Sequence, residues 1–147
     1  MIRLSPNFSL EELTHSDIAT RLEIDNTPSE AAENNLKILA AGLETVRAEL
    51  DDCPINISSG YRCLELNRLL KSKDSSPHIL GLAADFSANK YGTIIEVMNQ
   101  LASSSIEFDK LILEFGRWIH ISFPKKGETP RYRIYEIDKK GCRLYQH

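Results

Sequence analysis

Apolar residues in the first half of the chain recur at helical steps. Leu36, Leu39, Leu43, Val46 and Leu50 form one stripe, which predicts a long helix packed on a sheet. Thr27-Pro28-Ser29-Glu30 predicts its start, with Pro28 at the first helical position, and Asp51-Asp52-Cys53-Pro54 its end. Ser9-Leu10-Glu11-Glu12 and Thr93-Ile94-Ile95-Glu96 have the capping-box pattern, so each predicts a helix start; the second helix runs to about Ser103. Cys63 to Lys71 predicts a further helix, with Leu66, Leu69 and Leu70 facing inward.

Elsewhere the pattern is that of strands. Ile55-Asn56-Ile57-Ser58 alternates, and Ala83 to Ser87 reads as a buried strand after the polar loop Lys73-Asp74-Ser75-Ser76-Pro77. Lys110 to Glu114 and Trp118 to Phe123 predict two strands around a tight turn containing Gly116. Tyr132 to Ile137 and Arg143 to Tyr145 predict a closing hairpin over Lys139-Lys140-Gly141. The expected fold class is α+β: one domain over residues 1–147, with helices packed on a small, mainly antiparallel sheet.

Composition narrows the function classes. At 147 residues with 41% hydrophobic and 27% charged residues, the chain can build a core. Its net charge of −3 supplies no positive field for nucleic acid, so no nucleic-acid partner is expected. No run approaches the ~18 apolar residues of a membrane span, and no membrane partner is expected. The opening MIRLSPNFSLEEL lacks the apolar stretch of a signal peptide. Three cysteines without a CxxC pair fit reduced thiols better than a disulfide framework. The expectation is a monomer, cytoplasmic as synthesised, that reaches a cell wall only if released.

The chemistry concentrates in Ser76-Pro77-His78-Ile79-Leu80-Gly81-Leu82-Ala83-Ala84-Asp85. Asp85 lies in a strand that otherwise reads as buried, and a buried carboxylate needs a charge partner or a metal. His120, in Trp118-Ile119-His120-Ile121-Ser122, shares a strand face with Trp118 and Ser122. A satisfied core histidine explains His120 as well as a ligand does, and a lone His78 reads as a loop residue. Together the three residues point to a metal. Two imidazoles and a carboxylate leave one tetrahedral position of a zinc ion open, the mark of a catalytic site.

A zinc hydrolase also needs a general base for the attacking water. A three-residue loop at Phe115-Gly116-Arg117 pairs Glu114 with Trp118 and puts its carboxylate on the face of His120; a two-residue loop puts it on the other face. Arg62, in Ser58-Ser59-Gly60-Tyr61-Arg62, sits at a strand-to-helix junction, where a guanidinium can clamp a carboxylate, stabilise an oxyanion or form a surface salt bridge. Cys63 beside it raises the further reading of a cysteine hydrolase. His15 and His147 read as exposed and receive no role.

These motifs resemble the zinc D-alanyl-D-alanine carboxypeptidases and related phage cell-wall endopeptidases, which share a fold with the hedgehog signalling domain. Ser59-Gly60-Tyr61-Arg62, Asn67, Ser76 through Asp85 and Trp118-Ile119-His120 stand in the family's order, and Asn7 to Leu13 resembles the start of its compact, phage-associated branch. The resemblance implies a zinc peptidase acting on peptidoglycan stem peptides, with zinc on His78, Asp85 and His120. It implies substrate contacts from Arg62 and Ser76, and Tyr61 and Trp118 are expected to join them. Many members carry the catalytic acid three residues before the last His; here that residue is Arg117, and Glu114 is expected in its place, with Arg62 assisting. The alternative expectation is a weak or inactive metal-binding module of the same fold, a phage structural or wall-recognition part.

Overall fold

The computed structural model describes residues 1–147. Two short strands, β1 (Arg3–Ser5) and β2 (Phe8–Ser9), lead into α1 (Leu10–Thr14) and α2 (Asp17–Arg21). The long helix α3 (Glu30–Glu49) follows, then β3 (Asn56–Ser59), α4 (Leu64–Leu69), α5 (Pro77–Leu80) and β4 (Ala83–Ser87). The chain closes with α6 (Ile94–Ala102), β5 (Lys110–Glu114), β6 (Trp118–Ser122), β7 (Arg133–Asp138) and β8 (Gly141–Leu144).

The main sheet has the order β3-β4-β6-β5-β7-β8. Its neighbours pair antiparallel except β5 and β7, which run parallel because the segment after β6 crosses back before β7 begins. The α+β reading with a mainly antiparallel sheet therefore holds, with one parallel pair added.

Strand alternation splits this sheet into two chemistries. Ala84, Phe86, Leu111, Leu113, Ile119 and Ile121 point to one side and join Leu36, Leu39, Leu43, Val46 and Leu50, together with Val97, Met98 and Leu101 of α6, in the core. Each large side chain buried there contributes about 1.5–3 kcal/mol. The other side carries Asp85, Ile112, Glu114, Trp118 and His120.

Several local expectations are corrected. Ser29, not Thr27, caps α3 by accepting from Ala32 N–H at 3.2 Å, so Pro28 lies before the helix rather than at its first position. In α4, Leu66 is buried but Leu69 and Leu70 are exposed; the second inward residue is Asn67. A two-turn helix cannot bury a wide stripe, and Asn67 finds backbone and guanidinium partners inside. His78 sits not in a loop but on the single turn of α5. The β1/β2 pair and α2 had no sequence expectation. The capping box at Thr93 is complete, with Thr93 N–H donating to Glu96 and Glu96 N–H to the Thr93 hydroxyl.

Candidate metal centre

Four segments build the site. The turn after β3 brings in Gly60 and Arg62, α5 brings His78, β4 brings Asp85, and β6 brings His120 directly opposite Asp85. Gly60 is required by close approach: a Cβ there would overlap the Leu13 carbonyl, to which Tyr61 N–H donates at 2.7 Å. Asn26 pins the same turn, donating to the Thr14 and Tyr61 carbonyls and accepting from Cys63 N–H.

Two hydrogen bonds couple this turn to α5. His78 Nδ1 lies 2.7 Å from the Gly60 carbonyl, and Arg62 N–H donates to the His78 carbonyl at 3.1 Å. A carbonyl only accepts, so Nδ1 carries the hydrogen of the first bond and Nε2 is the nitrogen turned to Asp85, the usual support for a metal-binding imidazole. Ser76 caps α5 by accepting from His78 N–H at 3.3 Å. Gly81 ends it at φ +78°, a left-handed position that also faces the Ala32 carbonyl, so a side chain is disfavoured twice.

The three ligand candidates converge. His78 Nε2 is 3.2 Å and His120 Nδ1 3.0 Å from the same Asp85 oxygen, Oδ1. All three ligand atoms lie within 4.8 Å of one another, and all three residues are buried. A tetrahedral zinc with ligands near 2.0–2.1 Å has donor atoms ~3.3 Å apart, so the donor set and spacing fit that ion. Burial pushes the Asp85 carboxyl up, but charge and hydrogen bonding from His78 and His120 outweigh it and hold the group well below the usual carboxylate range. An acid ionised under these conditions is a ready metal ligand.

Arg62 supports the other Asp85 oxygen. Its Nη2 is 3.3 Å from Oδ2, while Nε donates to the Ser59 hydroxyl at 3.0 Å and Nη1 lies 3.4 Å from Asn67 Oδ1. All three of its nitrogens thus have protein partners. Glu114 pairs opposite Trp118, so the turn between them is the three-residue loop and the carboxylate lies on the His120 face. Trp118 Nε1–H donates to Glu114 Oε2 at 2.9 Å. Burial, and then the negative Asp85, push the Glu114 carboxyl above its usual value, against the pull of His120, Trp118 and Arg62.

The remaining candidates lie further out. Tyr61 is a buried member of the core and borders a cleft with His15, Arg21 and Arg62. Cys63 caps α4, its sulfur accepting from Leu66 N–H, and has no imidazole partner. His15 is exposed and bonds Asp17, and His147 stacks on Tyr145. Asn26 was not foreseen; it sits in an ordinary polar turn, and nothing in the sequence marks it. No helix is long and apolar enough to cross a membrane. No curated protein matches the sequence. The model of the zinc-dependent family described as peptidase M15 matches residues 6–122, a span that holds all three ligand candidates and Glu114. With its buried His-Asp-His group in place, the chain belongs to the peptidase M15 family.

Proposed function

We propose that this chain hydrolyses a peptide bond in peptidoglycan stem peptides, with zinc on His78, Asp85 and His120 and Glu114 as general base. The observation that carries the proposal is the shared sheet face. Asp85, His120 and the Glu114 carboxylate project from the neighbouring strands β4, β6 and β5, His78 reaches the same face from α5, and Glu114 is one diagonal step from His120, roughly 7–8 Å between residues. That spacing leaves room for a water between the carboxylate and the ligand group.

The bound zinc supplies Lewis-acid activation of the attacking water and of the scissile carbonyl. Glu114 takes the proton of the water on Oε1 or Oε2 and passes it to the leaving amine. The Trp118 indole fixes the rotamer of Glu114 by holding Oε2. Arg62 orients Asp85 through Oδ2, and its unused N–H groups remain for a substrate carbonyl or carboxylate. Ser76, half-buried and two residues before His78, offers a hydroxyl for a substrate contact.

Purified peptidoglycan should release peptide fragments in the presence of the zinc-loaded protein, stop doing so with chelator and resume with added zinc. Mass analysis of the fragments identifies the bond, terminal D-alanine or internal. Glu114→Gln should retain one zinc per chain and lose activity by about 10²–10⁴-fold. Full zinc content without turnover of any stem peptide overturns the catalytic reading and leaves a metal-binding module.

A further inference from the structure

A cleft of about 470 Å³ opens beside the candidate active site, lined by Phe115, Arg117, Trp118, Asp138, Lys139 and Lys140. It starts at Trp118, whose indole holds Glu114, and extends over the β5–β6 loop to the turn between β7 and β8. That turn lies beyond the residues matched by the family. We propose that the cleft is a substrate subsite that takes a free carboxylate along the peptide undergoing cleavage, other than the one at its C-terminus. The proposal rests on the peptidase reading above.

Charge is the first argument. Arg117, Lys139 and Lys140 form no ion pair with any acid of the protein. The one acid in the cleft, Asp138, is already committed: Arg143 holds both its oxygens, at 3.1 and 2.7 Å, and Lys140 N–H donates to it at 2.8 Å. Three cations therefore surround the cleft in a chain whose net charge is −3. An anionic group of the substrate finds attraction here that the protein as a whole does not offer.

The floor is the second argument. Phe115 is 46% exposed although it is a large aromatic, and its backbone has φ +55°. Hairpin positions of that conformation ordinarily take Asn, Asp or Gly. The strain is held in place because Phe115 N–H donates to the Ile137 carbonyl of β7 at 2.8 Å, which also fastens the loop to the hairpin bearing the lysines. The ring lies 5.6 Å from the Trp118 ring, so the two form an apolar floor under a cationic rim. A peptide that lays its aliphatic part on this floor presents a carboxylate to Arg117, Lys139 and Lys140. Strained residues persist at sites where the strain is used.

The test uses the pentapeptide L-Ala-D-Glu-diaminopimelate-D-Ala-D-Ala in four forms: free, amidated at D-Glu, amidated at diaminopimelate, and amidated at both. With zinc-loaded protein, one of the two amidations should lower kcat/KM by about fivefold or more, chiefly through KM, and thereby identify the carboxylate. Arg117→Ala/Lys139→Ala/Lys140→Ala should bring the ratio of free to amidated substrate close to one. Lys139→Arg/Lys140→Arg should keep it. Equal cleavage of all four peptides, or a triple variant that keeps the ratio, overturns the subsite. Calorimetric binding of the same peptides to zinc-loaded Glu114→Gln separates the two ideas. Carboxylate-dependent binding there, with no turnover by the unmodified chain, sustains the subsite and sinks the peptidase reading; binding without carboxylate dependence sinks the subsite.

Discussion

Glu114 balances opposed influences at the level of single residues. Burial and the neighbouring Asp85 favour its neutral form, while His120, the Trp118 indole and Arg62 favour the carboxylate. In the proposed role as base Glu114 must be ionised to accept a proton, so activity is lost as pH falls through its pKa. Trp118→Phe keeps most of the ring but deletes the hydrogen bond to Oε2. With one stabiliser of the charged form gone, the pKa rises further, and this acid limb of kcat/KM should move to higher pH. Measured on zinc-loaded proteins, with zinc content followed at each pH, the shift reports the base and not loss of the ligands. A limb that stays in place or moves down in Trp118→Phe removes Glu114 from that role.

At the level of elements, the smallest helix sets the most. The single turn α5 carries His78, and it is held at its start by Ser76, at its end by Gly81 and along its flank by the turn at Gly60–Arg62. Gly81→Ala places a side chain at φ +78° and puts its Cβ 2.7 Å from the Ala32 carbonyl. The variant should be destabilised by about 1–3 kcal/mol in urea unfolding and should bind zinc more weakly, since α5 must move for the new methyl to fit. Unchanged stability and affinity together would show that α5 has freedom the packing does not suggest. The stripe of α3, the strand pairing around Gly116 and the grouping of His78, Asp85 and His120 as ligand candidates were legible in the sequence because periodicity and motif spacing are local signals. What escaped was settled by distant partners. Asn67 turns inward because Lys73 and Arg62 bond its side chain, Leu69 and Leu70 stay outside a helix too short to wrap the core, and β7 runs parallel to β5 because of a crossover that no local pattern encodes. Arg62 was legible as a site residue, but its contact with Asp85 Oδ2 depends on the β3–β4 pairing.

Over the whole molecule, the two faces of the sheet do different work. The face toward α3 and α6 is continuous apolar core, whereas the opposite face concentrates Asp85, His78 and His120, with Arg62 at 13% side-chain exposure beside them. The ligand candidates come from α5, β4 and β6, so one ion held by all three would span three separate parts of the fold, and the Arg62 turn is tied in through Asp85. Such a site exists only when those parts are assembled, so the metal binds the native state and not the unfolded chain, and its binding free energy adds to folding stability. At free zinc a thousandfold above the dissociation constant, the gain is about 4 kcal/mol. For a chain of this length each kcal/mol raises Tm by ~2–4 °C, so scanning calorimetry should show zinc raising Tm by roughly 10 °C over chelated protein. Asp85→Asn should abolish most of that increment, because Asn keeps the shape but removes the charge that faces the ion. A Tm that ignores zinc and chelator alike would mean that the three ligands, however close in space, do not act together on one ion.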